Sequence, residues 1–187
     1  MTAITFVTTN PGKFREVRAK LAPLGVRLRR LDREYPEVQT DRLEDVVRYG
    51  AKILARQVAG EFLIDDSGLF VDTLGGFPGV YSSYAYRTIG SEGILTLMQS
   101  EARRTAHFET VFLLGGRGRT SRVFKGVCAG SISRKMRGHG GFGFDPIFVP
   151  AGHRRTFGEM TLEEKNVLSH RARATDALAA HLRRRGR

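Results

Sequence analysis

The sequence predicts an α/β fold on three observations. Ala3-Ile4-Thr5-Phe6-Val7-Thr8 is an apolar, β-prone run that passes through Thr9-Asn10-Pro11-Gly12-Lys13 into a helical pattern. Phe62-Leu63-Ile64 is a second short run, and it leads straight into Asp65-Asp66-Ser67-Gly68. Between and after these lie stripes of apolar residues at three- and four-residue spacing. Strands that alternate with such helices build a sheet with helical cover, and ligands of open α/β sheets gather at the carboxyl ends of the strands. Two carboxylates at such an end make Phe62 to Leu69 the candidate centre. From these residues alone, a polar turn with solvated aspartates is the plain alternative.

Taken in order, the first helix opens at Asn10, a good N-cap, with Pro11 suited to the first helical position. Phe14, Val17, Leu21 and Leu24 carry it toward Gly25. Strand, short loop and helix N-terminus form a phosphate-receiving geometry, because orphan N–H groups and the positive end of the dipole face the anion. Lys13 adds a point charge, although the Gly-x4-Gly-Lys-Ser/Thr pattern is absent; an ordinary capped helix fits the same residues. Val26 to Leu31 alternates apolar residues with arginine and predicts a strand with one wet face. Asp41 and Glu44 predict a capping box for a helix with the stripe Leu43, Val46, Val47, Ala51, Leu54, Ala55 and Val58. Lys52 lies about 90° off that stripe, facing either solvent or a site. Gly60 ends the helix.

After Gly68, Leu69 to Leu74 reads as extended or irregular, and Gly75 to Ser83 as a long loop of a kind that is often functional. Ile89, Gly93, Ile94 and Leu97 predict a short helix. His107 to Leu114 and Thr120 to Cys128 predict an antiparallel hairpin turned by Gly115 to Arg119, with His107 and Cys128 structural. In Arg137 to Pro146, glycines flank Phe142, Phe144 and Asp145. Glycine lets backbone approach a ligand, and an exposed ring offers a face to a base; the same pattern suits a turn whose rings plug the core. Ile147-Phe148-Val149 predicts a short strand. Thr161 and Glu164 predict a second capping box, and Leu168, Ala172, Thr175, Ala179 and Leu182 a final helix. On one continuous helix Lys165 and His170 point about 140° apart, and His170 and Arg171 about 100°. The three meet one ligand only if the helix breaks near Asn166, or if the ligand lies across its N-terminal end. A basic helix surface is the alternative.

At 187 residues, with 41% apolar and 27% charged residues, the chain is expected to be one domain with room for two lobes. No apolar run approaches the roughly 20 residues of a membrane span, and the start lacks the basic region of a secretory leader. A lone cysteine, Cys128, excludes an internal disulfide and fits a reducing cytoplasm. The net charge of +12 favours polyanionic partners. Part of it belongs to the arginine-rich end, His181 to Arg187, read as a frayed, solvated terminus or a nucleic-acid contact.

Together these stretches resemble the non-canonical purine nucleoside triphosphate pyrophosphatases, the inosine triphosphatase (Ham1/RdgB-like) family. The resemblance rests on Thr9-Asn10-Pro11-Gly12-Lys13, Pro36-Glu37-Val38-Gln39, Asp65-Asp66-Ser67-Gly68-Leu69-Phe70-Val71-Asp72, Gly75 to Ser82, and Gly141-Phe142-Gly143-Phe144-Asp145-Pro146-Ile147-Phe148. Glu159 to Asn166 with Ser169-His170-Arg171 extends it to the last helix. It implies an elongated mixed sheet flanked by helices, two lobes around a central nucleotide-binding cleft, and a homodimer. It implies that Thr8, Thr9, Asn10, Pro11, Gly12, Lys13 and Ser67 hold the triphosphate, with Lys52 in reach. Asp66 would accept the proton of the attacking water. Asp66 and Glu37 would hold Mg²⁺, with Asp65 a weaker candidate. Phe142 would stack on the purine within Phe142-Gly143-Phe144-Asp145. Lys165, His170 and Arg171 would close on the nucleotide, the last two at the base edge.

That implies hydrolysis of ITP, dITP and XTP at the α-phosphorus, in the cytoplasm, with no membrane or nucleic-acid partner. A nucleotide- or nucleic-acid-binding protein without turnover, and a pyrophosphatase for other modified triphosphates, are the competing readings. The first makes no use of Asp65 and Asp66, since carboxylates repel nucleic acid. The sequence departs from the family where an arginine is frequent after Tyr81-Ser82, here Ser83-Tyr84-Ala85-Tyr86-Arg87, and where Phe144 replaces a frequent tyrosine.

Overall fold

The computed structural model describes residues 3–185. A seven-stranded mixed sheet runs in the order β2-β1-β3-β5-β6-β7, with β4 on β3. The strands are β1 (Ala3–Val7), β2 (Arg27–Leu31), β3 (Glu61–Val71), β4 (Pro78–Gly79), β5 (Thr105–Gly116), β6 (Arg122–Ile132) and β7 (Phe148–Pro150). The helices are α1 (Pro11–Leu21), α2 (Leu43–Leu54), α3 (Ser82–Thr88), α4 (Gly90–Leu97), α5 (Leu162–Leu168) and α6 (His170–Arg185). The α/β fold with a mixed sheet is as the sequence predicts. The chain forms two units, each with its own core.

The first unit takes residues 3–66, 110–126 and 171–185 of the described chain. Its core joins Ile4 and Phe6 of β1, Val17 and Leu21 of α1, Leu63 of β3, Phe112 and Leu114 of β5, and Ala174 and Leu178 of α6. β1 pairs parallel with β2 and with β3, where Thr5 faces Phe62 and Phe6 faces Leu63. β1 ends at Val7, so Asp65 and Asp66 follow just beyond the parallel pairing. The pair therefore keeps the strand-end position within the parallel part of the sheet, but not in the strand itself: β3 continues to Val71, and the polar-turn alternative is excluded.

The second unit takes residues 67–109 and 127–170. Leu69, Val71, Ile94, Met98, Phe108, Cys128, Phe148 and Phe157 are among its buried core residues. Gly68 is the reason β3 does not turn. A Cβ there would sit 2.3 Å from the Gly79 carbonyl oxygen, so glycine lets β4 lie against β3. His107 stacks on Phe70 at 5.0 Å and Cys128 is buried, the structural roles expected.

Three local expectations are corrected. Residues 82–88, of which the sequence reading gives Ser82 and Ser83 to the end of the long loop and the rest to no element, form α3; Tyr84 and Tyr86 stay exposed, so no apolar stripe announces it. The Asp41–Glu44 capping box does not form. The N-cap is Arg42, whose N–H donates to Thr40 Oγ1, while that hydroxyl donates to Asp45 at 3.1 Å. The break before the last helix falls at Ser169, extended at ψ 157°, rather than near Asn166. The Thr161–Glu164 box does form, with reciprocal bonds of 3.2 and 2.9 Å. Of the arginine-rich end, Arg185 pairs with Glu61 at 2.6 Å, and Gly186 and Arg187 lie outside the described residues.

Candidate active site

In the first unit, the loop after β1 is held from three sides. Thr8 donates its N–H to the Leu31 carbonyl at 3.0 Å, and its hydroxyl accepts from Asn10 N–H at 3.2 Å. Asn10 Oδ1 accepts from the N–H groups of Gly12 (2.8 Å) and Lys13 (3.1 Å), the N-cap its sequence predicts. Two amides expected to meet phosphate are thus bonded to the cap. From β2, Arg30 donates to the carbonyls of Thr8 (3.1 Å) and Thr9 (2.9 Å). Those carbonyls are drawn toward a cation and away from any anion at the loop.

The carboxylates lie against cations. Asp65 Oδ2 is 3.2 Å from Lys13 Nζ and 3.6 Å from Arg171 Nε. Arg171, 2% exposed, also pairs through NH1 with buried Glu16 at 2.6 Å. Strand alternation puts Asp65 and Ser67 on one face of β3 and Asp66 on the other. Tyr35 donates its hydroxyl to the Asp65 carbonyl oxygen at 3.0 Å. Burial, reinforced by the charges of Asp65, Asp66 and Glu37, pushes that hydroxyl well above the ordinary tyrosine value. The tyrosine hydroxyl therefore stays protonated and a donor. Carboxylates are hard oxygen donors that suit a divalent cation, but among the described residues no group of three or more His, Cys, Asp or Glu side chains is placed to hold one.

In the second unit, a glycine loop presents Phe142. Its N–H donates to Asp145 Oδ2 at 2.7 Å, and the same oxygen pairs with Lys165 Nζ at 2.6 Å. Lys165 also stands 4.7 Å from the Phe142 ring centroid. Gly141 has φ 72°, and a Cβ there would lie 2.1 Å from Asp145 Oδ2, so the loop requires glycine twice over. Phe144 is buried, edge-on to Tyr86 at 5.4 Å. His170 is buried and stacked on Phe108 at 4.6 Å.

The Ham1 family model matches residues 4–181. The chain belongs to the Ham1 family. It is 53% identical over 180 residues to a dITP/XTP pyrophosphatase of Thermococcus kodakarensis, covering 96% of this chain and 97% of that one. It is 52% identical over 176 residues to one of Pyrococcus horikoshii, covering 93% of each. Among solved structures, the Staphylococcus aureus Ham1 protein matches at TM-score 0.84 and 28% identity, over 97% of this chain and 98% of that one.

Within this Ham1 chain the sequence-predicted residues fall into two groups. Thr8, Thr9, Asn10, Pro11, Gly12, Lys13, Glu37, Asp66 and Arg171 belong to the first unit, and Ser67, Phe142, Gly143, Phe144, Asp145, Lys165 and His170 to the second. Lys52 is exposed on α2. Arg171, expected at a base edge, is instead seen against Glu16 and Asp65. Tyr35, Arg30 and Glu16 were not singled out by the sequence. Tyr35 stands two positions before Glu37, the one local signal that it belonged with the carboxylates.

Proposed function

We infer that this chain is a nucleoside triphosphate pyrophosphatase that hydrolyses deaminated purine nucleotides, ITP, dITP and XTP, to the monophosphate and pyrophosphate. The observation that carries the reading is the buried group in the first unit, Asp66 beside an Asp65 held by Lys13 at 3.2 Å and Arg171 at 3.6 Å. The relatives named dITP/XTP pyrophosphatase support the substrate class.

Lys13 and Arg171 balance the charge of Asp65, which leaves proton acceptance from the attacking water to Asp66, on the opposite face of β3. Asp66 and Glu37 would hold Mg²⁺, for which one or two carboxylates with phosphate oxygens and water form an ordinary shell. When bound, the cation neutralises phosphate charge and stabilises the charge that develops in displacement. Thr8 to Lys13, Ser67 and Lys52 bind the triphosphate by hydroxyl, amide and ammonium donors. Phe142 stacks on the purine, with its loop of Gly143, Phe144 and Asp145 set by Lys165. His170 donates to the keto group at purine C6, where the amino group of adenine would face a donor. Arg171 reads the base edge only by leaving Glu16; its ion pairs favour a role in holding Asp65. The two units work as one enzyme domain.

The enzyme acts as a homodimer in the cytoplasm. Exposed Tyr81, Tyr84, Tyr86, Ile89 and Leu97 on and around α3 and α4 support a protein-facing surface, which sedimentation would test. The deciding assay incubates the protein with Mg²⁺ and ITP, XTP, GTP or ATP and separates pyrophosphate from orthophosphate. Pyrophosphate from ITP and XTP is expected. No turnover of any triphosphate removes the enzyme reading, and orthophosphate as first product removes attack at the α-phosphorus.

A further inference from the structure

The first unit carries a concave site apart from the residues assigned to the reaction. A cavity of about 350 Å³ opens where the amino end of β3 meets the β5–β6 turn and the last turns of α6. Arg119, Arg122, Arg185 and His181 line it, with Glu61 as its carboxylate. Glu61 precedes Asp66 by five positions on one strand, about 16 Å of extended chain, so this is not the carboxylate end of β3.

The pocket is built rather than merely basic. Gly116 forms part of its frame: a Cβ there would lie 2.9 Å from the Gly60 carbonyl oxygen and 3.0 Å from Arg119 Cδ. The absent side chain leaves that space to the stem of Arg119 and the Gly60 carbonyl. Arg185 is fixed by Glu61 at 2.6 Å, and Phe124 packs on the His181 ring at 5.5 Å. Three guanidinium groups against one carboxylate leave two positive charges in a space larger than an inorganic anion. Burial and the surrounding charges of Arg122, Arg185 and Arg184 push the His181 pKa below its ordinary value, against a weaker opposite pull from Glu61. The pocket thus has a field that disfavours one more cation and favours an anion.

We propose that this pocket binds a small phosphate dianion, a phosphomonoester or diphosphate, through Arg119 and Arg122, with Arg185 and His181 at its wall. Guanidinium forks match phosphate oxygens bidentately, and the two-charge surplus matches a dianion. A half-open concavity with a carboxylate on its wall fits a discrete anion better than a nucleic-acid backbone, which a long basic track free of carboxylates would follow.

The test is an NMR titration of the His181 ring in the full chain without Mg²⁺, its signal assigned by its loss in His181→Gln. Probes are inorganic phosphate, pyrophosphate and AMP at constant ionic strength, with chloride as control. The expected result is a saturable shift and a raised His181 pKa with at least one phosphate probe. Binding should weaken about tenfold or more in Arg119→Ala/Arg122→Ala and in the milder Arg122→Gln, with ITP turnover unchanged. Saturation by phosphate alone, pyrophosphate alone or AMP alone identifies the source of the dianion and sustains the proposal. A linear, non-saturating shift overturns it, as does equal binding by wild type and Arg122→Gln. So does a single-stranded oligonucleotide that shifts His181 where the small phosphates do not.

Discussion

Asp65 and Asp145 are both buried aspartates with a lysine in contact, yet they organise different things. Asp65 takes Lys13 from α1 and Arg171 from α6, and Arg171 is itself braced by Glu16, 155 residues away in sequence. Asp145 takes Lys165 and the N–H of Phe142, three residues back. A buried pair adds little net stability over an apolar pair of the same shape, but removing one partner strands a charge. Both networks are therefore positioning devices. The first fixes the strand that carries Asp66, the proposed proton acceptor; the second fixes a ring. The comparison teaches that the chemistry and the selectivity of this enzyme should be separable by mutation.

The largest expected effect breaks the chemistry alone. Asp66→Asn should lower kcat about 10²- to 10⁴-fold, the usual worth of a general base, with ITP still bound. Near-normal turnover in that variant would take the base role from Asp66. Next comes the brace. Arg171→Ala leaves Glu16 buried without its cation and should cost about 3–5 kcal/mol of stability in denaturant unfolding. Its kcat should fall for ITP and ATP alike, because Asp65 loses its hold; a change confined to the ITP/ATP ratio would instead place Arg171 at the base edge. Lys165→Met should do the reverse. It frees the Phe142 loop, costs about 3–5 kcal/mol for the buried Asp145 charge left without its lysine, and reduces the ITP preference more than kcat. An unchanged ITP/ATP ratio would detach the Asp145 network from selectivity.

The sequence shows this division unevenly, for physical reasons. The Asn10 cap, the α2 stripe and the Thr161–Glu164 box are local patterns, and each is legible because partners lie within one turn of helix. The order of strand, capped helix and carboxylate-bearing strand was equally legible. The full course of β3 was not. Asp-Ser-Gly carries turn chemistry, and only the approach of Gly79 explains why Gly68 extends the strand instead. Helix α3 was missed because exposed tyrosines leave no apolar period. The partners of Arg171 were out of reach for another reason: Glu16 sits on a different helix, and sequence spacing carries no record of such a contact. The helix break at Ser169 shows the limit at short range: Asn166 and Ser169 both have the chemistry of a helix boundary, and sequence alone does not decide between them.

The smallest effect concerns Tyr35, which ties the Glu37 loop to β3. Its ring lies over Gly50 of α2, where a Cβ would come within 2.5 Å, so the seat is made by a missing side chain. Its hydroxyl donates to the Asp65 carbonyl at 3.0 Å. Tyr35→Phe keeps the ring and removes only the donor, at a cost of about 0.5–1.5 kcal/mol for one hydrogen bond. The local result should exceed the global one. A carbonyl that loses its partner lets the strand shift at Asp65, and Asp66 moves with it because the two share a backbone. Turnover of ITP and XTP should therefore fall a few-fold together, with KM nearly constant, since the groups that bind phosphate and base are untouched. If melting and kcat both stay at wild-type values, the tyrosine hydroxyl does not position the carboxylates, and the brace of Lys13 and Arg171 suffices alone.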